Sequence, residues 1–117
     1  MKKATLILIF LFVGASQALA FDGMRLRVRT DLPMEIKTVG EAAQYFAANT
    51  GYRLIIHYPA PTESGRIANE PIMLATTAKK VLPVEDAILT LLADNYRLVV
   101  DRKHKLFSFE ERTPHHD

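Results

Sequence analysis

Two stretches of the chain repeat apolar residues at the three-and-four spacing that places them on one face of an α-helix. The first stripe consists of Val39, Ala42, Ala43, Phe46 and Ala47, and the second of Val84, Ala87, Ile88, Leu91 and Leu92. Thr38 and Glu41 have the spacing of a capping box, and Pro83 suits a first helical position. The pattern therefore predicts two amphipathic helices.

Runs of β-branched and aromatic residues follow both predicted helices and predict strands over residues 52–58 and 96–100. A third strand comes next across a short polar turn, which favours a hairpin. This strand comprises Leu106, Phe107, Ser108 and Phe109. Residues 59–71 contain three Pro and little periodicity, so we expect an exposed loop there.

The segment RLRVR (residues 25–29), which precedes the first predicted helix, alternates strictly between Arg and an aliphatic residue. It predicts a half-buried strand with Arg25, Arg27 and Arg29 on one face. Further short strands are expected within residues 34–37 and 73–81.

The two helix-strand stretches repeat each other without a gap. Residues 41–56 read EAAQYFAANTGYRLII, and residues 85–100 read EDAILTLLADNYRLVV. Gly51 and Asn95 are equivalent in the repeat, and both residue types readily adopt the left-handed conformation that ends a helix. The fold class that we predict is α+β, with two helices packed on small mixed β-sheets and pseudo-duplicated helix-strand units.

Residues 1–20 have the three parts of an export signal. Lys2 and Lys3 begin it, an almost unbroken apolar run covers residues 4–15, and the Ala-Leu-Ala of residues 18–20 supplies a cleavage site. The run is shorter than the about 20 residues that a membrane span needs. We expect cleavage after residue 20, with an uncleaved anchor as the alternative.

Removal of the signal leaves residues 21–117, for which we expect a single domain with an ordered core of about 25–110. Taking Lys2 and Lys3 from the 15 Lys and Arg leaves 13 against 13 Asp and Glu, and a neutral domain argues against nucleic-acid binding. The chain has no Cys, which excludes disulfides, thiolate metal sites and a lipid-carrying cysteine. These features predict a soluble exported protein of the periplasm without a direct lipid anchor.

Groups that could carry chemistry are few and scattered. His57 has no recognisable nucleophile with an orienting acid nearby, and His115 and His116 would need further rigid ligands to hold a metal. Glu41 and Glu85 lie in the first turns of the predicted helices, where capping explains them. The sequence therefore predicts no enzyme, no cofactor and no metal.

Two sets of side chains admit more than one interpretation. Arg25, Arg27 and Arg29, extended by Arg53 and Arg97, would form either a solvated sheet face, a basic stripe for nucleic acid, or an edge that docks on an acidic partner. The repeated tyrosines at positions 52 and 96 are expected to pack over the helix ends with their hydroxyls in water, and an aromatic contact for a partner is the alternative.

With these elements assigned, the chain resembles a known family. TVGEAAQYFAANTGYRLII (residues 38–56) and LPVEDAILTLLADNYRLVVDRKHKLFSFE (residues 82–110) resemble the small periplasmic domain of PilL/TcpQ-type proteins. They are also similar to the secretin and TonB short amino-terminal (STN) domain, and to DotD-like proteins of type IVB secretion. The shared motifs are helix caps, core positions and turns, and they cover about residues 25–110.

The resemblance implies a non-enzymatic component of a type IV pilus, conjugation or type IV secretion system. Such a component would help an outer-membrane secretin or core complex to assemble or localise, within a ring in some complexes. DotD-like proteins usually carry a lipidated Cys, which this chain lacks. The resemblance therefore implies attachment through protein contacts alone.

A small mixed sheet leaves edge strands open to strand addition by a neighbouring subunit. The candidate edges are the Arg25–Arg27–Arg29 segment and the hairpin strand Leu106, Phe107, Ser108 and Phe109. A free-standing periplasmic module for cell-wall glycan or peptide is the second interpretation, and a groove with convergent polar groups would favour it. A small enzyme built around His57, or an inhibitor presenting residues 59–71, is the third.

Overall fold

The computed structural model describes residues 22–72 and 79–112, and the export-signal and tail predictions lie outside them. After a 3-10 turn (Gly23–Arg25), the elements in chain order are β1 (Arg27–Arg29), α1 (Val39–Ala47), β2 (Arg53–Leu54), α2 (Ser64–Ala68), β3 (Val81–Pro83), α3 (Val84–Leu89), β4 (Tyr96–Asp101) and β5 (Leu106–Glu111). The predicted α+β class is confirmed.

The strands form two small sheets. β1 pairs with β3 in a two-stranded antiparallel sheet, and the second sheet has the order β2-β5-β4. In that sheet β5 runs parallel to β2 and antiparallel to β4, so it is mixed, as predicted. Both helix-strand repeats are present, as α1 followed by β2 and α3 followed by β4.

One hydrophobic core lies where α1 and α3 meet both sheets. The two predicted apolar stripes supply most of it, joined by Phe107 and Phe109 of β5. Val28 of β1 and Leu82 of β3 pack against the same cluster from the other sheet. Met24 is fully buried, so the ordered core begins before residue 25, earlier than the sequence indicated.

The ends of the helices follow local chemistry. The capping box is confirmed, since the Glu41 N–H donates to Thr38 Oγ1 at 3.2 Å and the Thr38 N–H donates to Glu41 Oε1 at 3.2 Å. Gly51 adopts the predicted left-handed conformation, with φ of 85°. Asn95 does not: the Tyr96 N–H donates to the Ala93 carbonyl, which closes the turn without a left-handed residue.

Four local predictions differ from the structure. Pro83 ends β3 rather than beginning α3, because the Val84 N–H still donates to the Leu26 carbonyl of the neighbouring strand segment. Arg25 belongs to the 3-10 turn, because the Asp22 side chain accepts the Met24 N–H and caps that turn. Met34 and Glu35 form a turn and no strand lies within residues 34–37, and only Arg53–Leu54 of residues 52–58 form a strand.

The expectation of an exposed loop over residues 59–71 is also wrong, because α2 lies within it. Ser64, Ile67 and Ala68 are buried, at the spacing that puts them on one helix face. Gly40 of α1 lets α2 approach closely, since a Cβ at that position would lie 2.9 Å from Ala68 Cβ. Of the strand expected within residues 73–81, residues 73–78 lie outside the described part of the chain.

Candidate protein-binding edges and groove

β5 is the central strand of its sheet, so the prediction of an edge at Leu106, Phe107, Ser108 and Phe109 is wrong. β4 covers one side of β5 through the predicted hairpin, and β2 covers the other. Phe107, Ser108 and Phe109 are all buried. The hairpin was evident from the sequence, but the parallel pairing with the distant β2 was not.

Side chains complete the β2 side of β5 beyond the point where β2 ends. The Ile55 N–H donates to the Phe107 carbonyl at 2.9 Å, which is the last main-chain bond between the two strands. Ser64 Oγ then accepts the Phe109 N–H at 3.1 Å and donates to the Ile55 carbonyl at 2.9 Å. Glu63 Oε2 accepts the Glu111 N–H at 3.1 Å. Beyond the end of β2, this side of β5 is therefore closed to a further strand.

The outer side of β4 is open. The Arg112 N–H donates to the Asn95 carbonyl at 2.8 Å, which sets the alternation of hydrogen-bonded pairs along the hairpin. By that alternation Arg97, Val99 and Asp101 bond to β5, whereas Leu98 and Val100 direct their N–H and C=O groups away from it. Within residues 22–72 and 79–112, these outward groups of Leu98 and Val100 have no hydrogen-bond partner.

The side chains of β4 alternate as a half-buried strand requires. Leu98 and Val100 pack against the core, and Val99 is 36% exposed on the outer face. On that face Arg97 Nη2 contacts Glu110 Oε1 at 2.6 Å, so its charge is balanced within the hairpin. β4 therefore presents an edge with one exposed aliphatic residue and no unpaired cation among its own residues.

The second predicted edge, β1, is present but carries free positive charge. Arg27 and Arg29 lie on the outer face, and bonds from the Val84 N–H to the Leu26 carbonyl and from the Thr30 N–H to the Lys80 carbonyl turn their main chains outward. The Arg29 side chain reaches Asp31 at 3.7 Å, whereas Arg27 has the Val81 main-chain carbonyl as its one partner among residues 22–72 and 79–112. Charged residues on an edge oppose strand addition, so β1 is protected from pairing with a strand of another chain.

The five arginines considered together in the sequence do not form one stripe. Arg27 and Arg29 lie on the two-stranded sheet, whereas Arg53 and Arg97 lie on β2 and β4 of the other sheet. Arg25 precedes β1 in the 3-10 turn. The geometry therefore separates the side chains that a nucleic-acid stripe would need to bring together.

The repeated tyrosines bind carboxylates, contrary to the prediction that their hydroxyls reach water. Tyr52 donates to Asp22 Oδ1 at 3.0 Å, and Tyr96 donates to Glu70. Arg102 of the β4–β5 turn joins the first pair through Asp22 Oδ2 at 2.6 Å and continues to Glu85 Oε1 at 3.0 Å. These contacts tie segments distant in sequence.

Burial and hydrogen bonding in this network shift the pKa values of Asp22 and Tyr52. Partial burial raises the pKa of Asp22, but hydrogen bonds from the Met24 N–H and the Tyr52 hydroxyl, together with the Arg102 charge, outweigh it and leave the pKa below its usual value. Burial raises the pKa of Tyr52, and the bond to Asp22 adds to this effect. Both shifts belong to a structural network that anchors the first residues of the domain.

A groove of about 720 Å³ lies between α1, β2 and α2, and no sequence pattern pointed to it. Its apolar wall includes Ile36, Tyr45, Leu54 and Ile56, and its polar rim includes Glu35, Glu41, Gln44 and Asn69. The Leu54 N–H, on the outer side of β2, donates to Gln44 Oε1 at 3.2 Å.

The two histidines that the structure describes, His57 and His104, form no convergent site. His57 is exposed, and His104 Nδ1 lies 2.9 Å from Asp101 Oδ2 in the β4–β5 turn. The hydrogen bond to His104 lowers the pKa of Asp101. The part of the chain that the structure describes contains no cluster of three or more His, Cys, Asp or Glu able to hold a metal. His115 and His116 lie beyond that part.

Among the described residues, no helix has the length and apolar character to cross a membrane. Comparison with protein-family models, with curated proteins and with solved structures finds no match to this chain. The edges and the groove are therefore the features of the described residues that bear on function.

Proposed function

We propose that this protein is a non-enzymatic periplasmic component of a type IV pilus or of a conjugative or type IV secretion apparatus. In this role it assists the assembly or localisation of an outer-membrane secretin or core complex through protein contacts. The observation that carries the proposal is the open edge of β4, where the main-chain groups of Leu98 and Val100 point outward without a partner in the described residues.

An open edge supports a contact protein because it offers a ready template for a strand of another chain. β4 is six residues long, and its exposed Val99 offers an apolar contact beside the unpaired groups. On the opposite sheet, β1 has Arg27 and Arg29 on its exposed face. The contrast favours β4 as the docking edge and makes β1 the protected one.

The ionisable groups with shifted pKa values also favour a non-catalytic role. Hydrogen bonds from main-chain N–H groups lower the pKa values of Glu41 and Glu63; those to Glu41 cap α1, and the one from Glu111 to Glu63 completes one side of β5. Asp22 and Asp101 are likewise held in pairs that stabilise a turn or a chain end. Perturbed groups at an active site would instead converge on one cleft.

The test is recovery of the untagged full chain from the cell envelope of its own host with a specific antibody, followed by mass spectrometry. We expect a secretin or a pilus or conjugation channel subunit to accompany the wild-type protein and the Val99→Thr variant, which keeps the shape of an exposed β-branched side chain. Val99→Lys places a charge on the edge and should abolish this recovery.

Leu89→Lys provides a second control, because Leu89 is 44% exposed and lies on α3 rather than on β4. The proposal is wrong if no such subunit is recovered, or if Val99→Lys recovers it as well as Leu89→Lys does. Thermal unfolding of each variant shows whether a loss reflects the edge or the fold.

A free-standing binding module is the second candidate, and the groove beside β2 favours it. The wall of Ile36, Tyr45, Leu54 and Ile56 suits apolar side chains of a peptide better than a polar glycan. Binding of a peptide by the purified protein, without recovery of any envelope subunit, would favour this candidate over the first.

A further inference from the structure

We propose that the groove between α1 and β2 binds an extended segment of a partner protein, which adds to the outer edge of β2 and places aliphatic side chains in the groove and basic side chains at its acidic rim. This inference rests on the proposed role in protein contacts. It uses a surface other than the β4 edge, so the two can fail separately.

The main chain of β2 is available on the groove side. The Arg53 and Ile55 N–H groups donate to the Lys105 and Phe107 carbonyls, and the alternation of a strand therefore turns Leu54 and Ile56 towards the groove. In the unbound protein, the Gln44 side-chain carbonyl accepts the Leu54 N–H at 3.2 Å. It stands where the main-chain carbonyl of an added strand would stand.

Gln44 is an exposed side chain of α1, so it can rotate away without opening the core. The exchange replaces one amide-carbonyl hydrogen bond by another and therefore costs little. An incoming segment also gains bonds to the Leu54 carbonyl and the Ile56 N–H, which have no partner among the described residues. In the unbound protein the Gln44 side chain thus occupies the outer edge of β2, but an incoming segment can displace it.

The groove offers apolar contacts at the side-chain positions of such a segment. Tyr45 is 45% exposed and Ile56 is 39% exposed, and these two face the same groove from α1 and from β2. Partly exposed aromatic and aliphatic residues beside an open strand are typical anchors for alternate side chains of a bound peptide. The close packing of Gly40 on Ala68 joins the two helices that flank the groove.

The charge of the groove rim indicates which kind of partner segment the groove binds. Glu35 and Glu41 are exposed at the rim, and the residues that line the groove include no Lys or Arg. Hydrogen bonds from the Lys37 and Thr38 N–H groups lower the pKa of Glu41, so its carboxylate stays charged at neutral pH. A segment that carries Lys or Arg beside its aliphatic residues is therefore complementary to this rim.

The experiment selects random short peptides from a display library with the full chain, purified as its host cell processes it. We expect enriched peptides that alternate aliphatic residues and carry Lys or Arg. Tyr45→Lys and Ile56→Lys should each weaken the binding of an enriched peptide by about tenfold or more. Leu89→Lys, with 44% exposure outside the groove, and Val99→Lys on β4 should leave it unchanged.

Methylation of alternate peptide nitrogens tests the added strand itself, because it removes donors to β2 and should abolish binding. The Leu54 and Ile56 amides should become protected from hydrogen exchange when the unmodified peptide binds. The inference is overturned if no peptide family is enriched, if Tyr45→Lys and Ile56→Lys bind as the wild type does, or if the methylated peptide binds equally well.

Self-association of the purified chain that is lost in Ile56→Lys would also overturn it, because the occupant would then be a second copy. If peptide binding fails while envelope recovery remains sensitive to Val99→Lys, the proposed function stands without the groove. If peptide binding succeeds and envelope recovery fails, the groove is supported as a peptide-binding site and the proposed assembly role is wrong.

Discussion

Substitution of Ser64 by Ala tests the side-chain bridge that completes the three-stranded sheet. The Ser64 hydroxyl is fully buried; it accepts the Phe109 N–H at 3.1 Å and donates to the Ile55 carbonyl at 2.9 Å. Ser64→Ala removes both bonds and leaves two main-chain groups unsatisfied at the end of β2. No other hydrogen bond to either group is found among the described residues.

The expected loss is a large part of the stability of the domain. An unsatisfied buried polar group costs about 1–3 kcal/mol, so two such groups cost about 2–6 kcal/mol. We therefore expect the free energy of unfolding to fall by about 2–6 kcal/mol, from a total of about 5–15 kcal/mol.

Urea unfolding of wild type and Ser64→Ala measures this loss, with the slope against urea concentration expected to stay constant. Thr62→Ala is the matched control, because the Thr62 hydroxyl is exposed and its one partner in the described part of the chain is Glu63, at 3.2 Å. It should change stability by less than about 0.5 kcal/mol. A change below about 0.5 kcal/mol for Ser64→Ala, with unchanged hydrogen-exchange protection of the Phe109 amide, would refute the bridge.

Three further predictions concern substitutions of single residues. Thr38→Ala removes the hydroxyl that accepts the Glu41 N–H and should lower the free energy of unfolding by about 1 kcal/mol in urea, whereas Thr38→Ser should not. Gly40→Ala should cost about 1–3 kcal/mol by the same measurement, because its Cβ would lie 2.9 Å from Ala68 Cβ; equal stability would mean that the two helices can separate freely. Because the pKa of Asp22 is lower in the folded chain than its ordinary 3.8, its stabilising effect is present above that pH and is lost as the pH falls through the folded pKa. Asp22→Asn should therefore reduce the acid-induced loss measured by thermal unfolding between neutral pH and pH values below 3.8, and an identical pH profile would contradict this assignment.

The sequence predicts the helices well because their signals are local. The spacing of Val39, Ala42, Ala43 and Phe46 and the capping box at Thr38 depend only on neighbours within a few residues. α2 is missed because it is short and lies between prolines. Its signal, the spacing of Ser64, Ile67 and Ala68, is too brief to stand out from the loop pattern.

The edges and the groove depend on contacts that span the chain. A hairpin between β4 and β5 was predictable, but the edge assignment requires knowing that β2 adds to β5, with Arg53 opposite Leu106. The partners of the tyrosines could not be predicted for the same reason, because Asp22 lies 30 residues from Tyr52 in the sequence. The groove needs α1, β2 and α2 together, so no single segment of sequence could show it.

The contacts of Asp22 and Arg112 also fix where the chain enters and leaves the domain. Asp22 is bound to Arg102 in the turn after β4, and the Arg112 N–H is bound to the Asn95 carbonyl just before β4. The chain thus enters at one end of the open edge and leaves at the other. A fusion joined directly before Asp22 or after Arg112 would stand beside the proposed docking edge, whereas a label in the turn at Met34, which is 88% exposed, would report on the domain without an attachment at either end of β4.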